Sequence, residues 1–143
     1  MIDSSAGRIH RVVHVGTGLT GTQALRAVID DPALELVGLK VSTADKAGAD
    51  AGRLAGGPDV GVSATDDVQA IMALAPDCVL YCATAVRREP EALADIVEYL
   101  EAGINVVTIS TIPMVYPAAA PPGWRAAVHA AAVRGDATFY ATG

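Results

Sequence analysis

Ile9-His10-Arg11-Val12-Val13-His14-Val15-Gly16-Thr17-Gly18-Leu19-Thr20-Gly21 is the stretch that decides the fold. The β-branched run over 9–15 reads as a strand, and the glycines that end it follow the spacing G-x-G-x-x-G. Residues 20–29 then place Leu25, Val28 and Ile29 on one helical face, so the glycines lie at a strand-to-helix turn. The spacing alone is a weak signal. Between a strand and a helix, with a second strand within about 30 residues, it becomes a strong one. Gly16 lets the chain turn sharply out of the strand. Gly18 leaves the backbone bare for a pyrophosphate, and Gly21 lets the helix pack closely on the strand. The amides of the helix's first turn then face the phosphates, with the helix dipole behind them. Gly16, Thr17, Gly18, Leu19, Thr20 and Gly21 are therefore candidate cofactor-binding residues.

Outward from this turn, strand and helix periods alternate. Asp30-Asp31-Pro32 ends the first helix, because proline biases its predecessor away from helical geometry. A second strand covers 34–41. The Gly-rich segment 44–61 holds a short helix at 50–54 and a turn at Gly56-Gly57-Pro58, and a short third strand is expected at 60–63. Thr65-Asp66-Asp67 resembles an N-cap for a helix buried through Val68, Ile71, Met72 and Leu74. A fourth strand spans 77–82. Glu89-Pro90-Glu91 opens a helix with Leu93, Ile96, Val97 and Leu100 as its stripe, closed by Gly103. Strand five covers 104–109, and the Pro/Ala loop 117–123 leads to a helix at 124–133 that Gly135 is expected to stop. A sixth strand is read at 137–141. Such βαβ alternation predicts an α/β fold, a doubly wound parallel sheet of about six strands. The whole of 1–143 reads as one dinucleotide-binding domain of Rossmann type.

The identity of the dinucleotide turns on the end of the second strand. An NAD site usually has Asp or Glu about 20 residues on, accepting from the ribose 2′-hydroxyl. Twenty residues after Gly21 stands Val41, followed by Ser42 and Thr43, with Lys40 and Lys46 close by. Hydroxyls and a cation suit a 2′-phosphate, and the missing carboxylate removes a repulsion against it. NADP is the expected cofactor. NAD is the alternative, with Asp45 as the carboxylate a loop could bring to the ribose. Ligands sit beyond the carboxyl ends of parallel strands, so Ala83, Thr84 and Ala85 after strand four join the candidate set. Ser110 and Thr111 after strand five do the same. The two threonines serve equally as helix or turn caps. His14 reads first as a packed strand residue and second as a group near the cofactor. Tyr116 reads as an anchor for its loop or, alternatively, as lining for the substrate entrance.

Composition narrows the function classes. With 52% hydrophobic and only 4% aromatic residues, the chain suits close-packed parallel strands against small-faced helices. Its length should bury about two-thirds of the unfolded surface without disulfides. Mean hydropathy is +0.38, yet no apolar run nears the roughly 18 residues of a spanning helix. The first ten residues hold Asp3, Arg8 and His10 and no apolar leader follows them, so a cytoplasmic location is expected. A formal charge of −6, with basic residues dispersed, disfavours nucleic acid as a partner. Cys78 and Cys82 fall on one strand face roughly 13 Å apart, too far for a disulfide, and read as core residues rather than metal ligands.

Arg11-Val-Val-His-Val-Gly-Thr-Gly-Leu-Thr-Gly21, Leu36-Val-Gly-Leu39 and Lys46-Ala-Gly-Ala-Asp-Ala-Gly52 together resemble the cofactor domain of dihydrodipicolinate-reductase-like dehydrogenases. The branch most similar contains 2,4-diaminopentanoate dehydrogenase and the NAD(P)H-dependent amine dehydrogenases. The likeness runs over nearly the whole chain, and its Lys-x-Gly-x-Asp-x-Gly segment is more particular than the glycine turn. The resemblance implies a longer parent, whose second α/β domain closes over the nicotinamide and helps form the substrate site. That second domain is expected to be absent here. In amine dehydrogenases the loop after strand five commonly carries an acidic residue. The matching stretch, Ser110-Thr-Ile-Pro-Met-Val-Tyr-Pro117, departs from this pattern, with no Asp or Glu to stabilise an ammonium or iminium.

The expectation is an NADP(H)-binding domain of an oxidoreductase that transfers hydride with a small carbonyl, imine or amine. No catalytic residue is assigned, and the chain alone should bind cofactor with little or no turnover. The competing reading is a non-catalytic nucleotide-sensing or partner-binding module. A transferase on the same sheet is disfavoured by the full glycine fingerprint. A missing domain would expose apolar surface and favour a homo-oligomer.

Overall fold

A computed structural model of the chain describes residues 7–143, so Asp3 lies outside the described residues. The elements run β1 (His10–Val15), α1 (Leu19–Asp30), β2 (Leu34–Lys40), α2 (Ala51–Leu54), β3 (Ala64–Thr65), α3 (Val68–Ala73) and β4 (Cys78–Tyr81). α4 (Glu89–Glu101), β5 (Asn105–Thr108), α5 (Trp124–Gly135) and β6 (Phe139–Ala141) complete them. Six strands form one sheet in the order β3-β2-β1-β4-β5-β6, and every neighbouring pair is parallel. This is the Rossmann-type doubly wound sheet. Its strand order reverses between β1 and β4, the place where such sheets open a crevice.

Two hydrophobic clusters cover the two faces. Leu25 of α1 and Ala51 of α2 pack with Leu39, Val41 and Ala64 on one side. On the other, Ile71 of α3, Ile96 and Leu100 of α4 and Val128 of α5 meet Val13, Val15, Val79 and Tyr81. Strand alternation therefore turns His14, between Val13 and Val15, toward the α1 face. No described helix is long and apolar enough to cross a membrane.

Three elements depart from the sequence reading. The third strand begins at Ala64 rather than at 60, because the Asp50 carboxylate takes the amides of Val60 (3.0 Å) and Gly61 (2.9 Å). Those donors are spent on a side chain and are lost to the ladder; only Ala64 and Thr65 pair with Leu39 and Lys40. Gly135 does not stop α5. It is the helix's last residue, and Asp136 makes the left-handed turn at φ 50°. A Cβ at Gly135 would lie 1.7 Å from the Leu100 carbonyl oxygen, so the glycine serves the packing of α5 on α4. Finally, the stretch after β5 is not a plain loop: it carries two short 3-10 turns, Ile112–Val115 and Pro117–Ala119.

Candidate functional site

The glycine turn closes at the carboxyl end of β1. Gly16 adopts φ +99°, and a Cβ there would meet the Ala83 amide nitrogen at 2.6 Å, so β1 and β4 approach at backbone distance. A Cβ on Gly21 would lie 2.6 Å from the Gly16 carbonyl oxygen, which is what lets α1 start so close to the strand. At Gly18 a Cβ would meet nothing within 4 Å. Gly18 is the N-cap of α1, with no side-chain cap and no acidic residue in the first turn. The first amides of a twelve-residue helix thus keep their donors free over an open space. That combination fits a phosphate.

A cleft of about 460 Å³ opens above this turn. Residues 16–21 form its floor. Ser42, Thr43 and Lys46 line one wall; Ala83, Thr84, Ala85 and Ser110 line the other. Lys46 reaches back to the turn, where its Nζ donates to Thr17 Oγ1 (3.0 Å) and sits 3.4 Å from the Thr17 carbonyl. Ser110 is placed by β5: Thr108 Oγ1 donates to the Tyr81 carbonyl (2.9 Å) and accepts from the Ser110 amide (3.0 Å).

Two of the expected residues do not line the cleft. Val41 is packed into the core with Leu25 and Leu39. Thr111 is buried, and its Oγ1 has no hydrogen-bond partner among the described residues. Asp45 stays outside the lining, and hydrogen bonding from the Thr43 side chain holds its carboxyl below the ordinary carboxylate range. Tyr116 is 69% exposed; its carbonyl, not its ring, secures the loop by accepting from the Ala119 amide.

Four lining residues escape sequence reasoning: Cys82, Val86, Ile109 and Ile112. Each lies directly before or after a stretch already singled out, so position relative to the strand ends was the available signal. Burial raises the Cys82 thiol to about 11, which keeps it protonated at neutral pH. Beneath the turn, His14 is fully buried and its Nε2 lies 2.8 Å from the Gly16 carbonyl oxygen. Burial lowers its pKa to about 4, while the backbone of Gly16 and, outside bonding geometry, of Gly21 pulls the other way.

The Lys46-to-Gly52 segment divides its labour. Lys46 faces the cleft, whereas Asp50 caps α2 through the Gly52 amide (2.8 Å) and ties down Val60 and Gly61. Backbone hydrogen bonds, that of Val60 first, hold the Asp50 carboxyl below its usual range. A Cβ at Gly52 would come within 1.9 Å of the Pro58 carbonyl oxygen. The aspartate and the glycine are thus structural.

No family model matches the chain. It is 42% identical over 130 residues to an amine dehydrogenase of Streptomyces virginiae, covering 90% of this chain and 36% of that protein. Among solved structures, an amine dehydrogenase from Mycobacterium smegmatis superposes with a TM-score of 0.79 at 28% identity, over 94% of this chain and 39% of the other. Two more distant structures share the fold. Biliverdin reductase from Synechocystis sp. PCC 6803, solved with biliverdin and NADP+, gives a TM-score of 0.67 at 20% identity, over 92% of this chain and 37% of that one. GenD2 of gentamicin A biosynthesis, solved with NAD, gives 0.64 at 18%, over 94% and 34%. This chain spans little more than a third of the length of the relatives it matches. Strand order, glycine turn and likeness agree: the chain is a Rossmann-type domain of the kind that NAD(P)-dependent dehydrogenases carry.

Proposed function

We propose that the chain is the NADP(H)-binding domain of an oxidoreductase that acts by hydride transfer on a small carbonyl, imine or amine substrate. The observation that carries this reading is the open, uncapped start of α1 above Gly18, walled on one side by Ser42, Thr43 and Lys46. A bound nicotinamide would supply the hydride chemistry. The chain's own residues bind and orient. The amides after Gly18 donate to the pyrophosphate, and Ser42, Thr43 and the Lys46 ammonium offer two hydroxyls and a positive charge to a 2′-phosphate. Val86 and Ile112 add apolar side chains to the rim of the cleft. The two amine dehydrogenases among the similar proteins favour an amine, or the imine derived from it, within the substrate class.

A non-catalytic nucleotide-sensing module is the second reading. It is favoured by the lining itself, in which no carboxylate or imidazole appears among the described residues. Fluorescence titration of the chain with NADPH and NADH tests the first point. NADPH should bind more tightly, and Lys46→Ala should weaken NADPH by about tenfold while changing NADH less, as loss of one charge-assisted contact implies. A tenfold or greater preference for NADH would sink the NADP assignment. Hydride transfer to an imine by a parent protein containing this domain would exclude the sensing module.

A further inference from the structure

The Gly16 carbonyl is gripped from two sides. His14 Nε2 lies 2.8 Å from its oxygen, and Gly21 packs so closely that a Cβ would come within 2.6 Å of it. A carbonyl only accepts, so Nε2 must carry the proton and donate. Nδ1 is then the unprotonated nitrogen, and it is buried without a hydrogen-bond partner among the described residues. An imidazole fully excluded from solvent, with one nitrogen left unpaired, is a costly way to fill a strand position. Val12, Val13 and Val15 fill the neighbouring positions of the same strand with plain hydrocarbon. The one hydrogen bond the His14 ring makes among the described residues goes to the first glycine of the turn.

We propose that His14 is a positioning residue for the phosphate-binding turn, an inference that rests on the cofactor reading above. In a trans peptide the C=O and the following N–H point in opposite directions. Holding the Gly16 oxygen inward, onto His14 and against α1, therefore turns the Thr17 N–H outward to the cleft that Thr17 lines. Lys46 secures the same residue from the solvent side through Thr17 Oγ1 and the Thr17 carbonyl. His14 fixes the inner edge of the turn and Lys46 the outer one. The Thr17 amide joins the free amides of α1 as a preorganised donor to the dinucleotide's phosphates, and no rearrangement of the turn is needed on binding.

The test uses the intact chain with His14→Leu and His14→Gln. Leucine keeps the bulk and removes the donor; glutamine restores an N–H near the place of Nε2. His14→Leu should raise the Kd for NADPH by at least about tenfold, the scale of one lost hydrogen bond to a charged group, and His14→Gln should recover most of it. Nitrogen-15 spectra of the wild-type ring at pH 7 should show the neutral Nε2–H tautomer, a readout that does not depend on whether the leucine variant folds. With NADPH at saturation, exchange of the Thr17 amide should be slowed in the wild type, less so in His14→Leu, and again nearly as in the wild type in His14→Gln. A leucine variant that binds NADPH within threefold of wild type, or a ring protonated at Nδ1, overturns the role of His14 and leaves the cofactor reading standing. A wild-type chain that binds neither NADPH nor NADH overturns both.

Discussion

The same histidine carries a consequence for stability. Its ring is fully buried and its pKa is lowered from 6.5 to about 4, chiefly by burial. The folded state prefers the neutral ring, so as pH falls the unfolded chain takes up the proton first. The contribution is therefore fully present above about 6.5 and is lost progressively between there and about 4, where the folded protein also protonates. At about 1.4 kcal/mol per pH unit, that window amounts to roughly 3 kcal/mol. Urea unfolding at pH 7, 5.5 and 4.5 should show the wild type losing about 2 kcal/mol more stability by pH 4.5 than His14→Gln, whose side chain does not titrate. Parallel losses in the two proteins would mean that His14 is not held neutral.

At the level of elements, the glycines do unlike jobs, and this marks the limit of what was legible. The first glycine turn could be read because its geometry is local: strand, turn and helix follow one another directly over residues 10–30. The short helix at Ala51–Leu54 and the Asp67 cap of α3 were legible for the same reason. The wall formed by Ser42, Thr43 and Lys46 followed from the end of β2. Gly135 was misread as a stop signal because its reason is tertiary, a helix carbonyl at Leu100 that sequence does not place beside it. The third strand was misplaced because a carboxylate ten and eleven residues upstream captured its expected donors. Substitution separates the two kinds of glycine. Gly135→Ala gains about 1 kcal/mol in helix propensity but forces a Cβ into backbone, for which overpacking costs of about 1–3 kcal/mol are a lower guide. A net loss of about 2 kcal/mol in urea unfolding is expected, with α5 lifting from α4. Gly18→Ala enters open space at φ −73°, so stability should stay within about 0.5 kcal/mol while NADPH affinity falls, because the new methyl occupies the phosphate's approach. A Gly18→Ala protein with unchanged affinity would place the phosphate elsewhere.

For the molecule as a whole, the carboxyl ends of the strands gather apolar side chains that the fold does not cover. Leu19 is 88% exposed, Val86 75% and Ile112 59%, and all three border the cleft. A soluble domain rarely leaves several large apolar groups together at one mouth without something to meet them. A dinucleotide in the cleft would shield part of this rim, and a second copy of the chain would shield more. The isolated chain should therefore self-associate at high concentration. NADPH should shift the equilibrium toward smaller species, and so should the double substitution Val86→Ser with Ile112→Ser. Sedimentation velocity across a concentration series reads this directly. Val86 lies in an exposed turn and Ile112 at the exposed start of a 3-10 turn, so the substitutions should leave the unfolding midpoint close to that of the wild type. If the mass distribution is the same with and without them, contact between copies runs through another face. If NADPH leaves it unchanged while still binding, the shared surface lies clear of the cofactor and the rim waits on another partner.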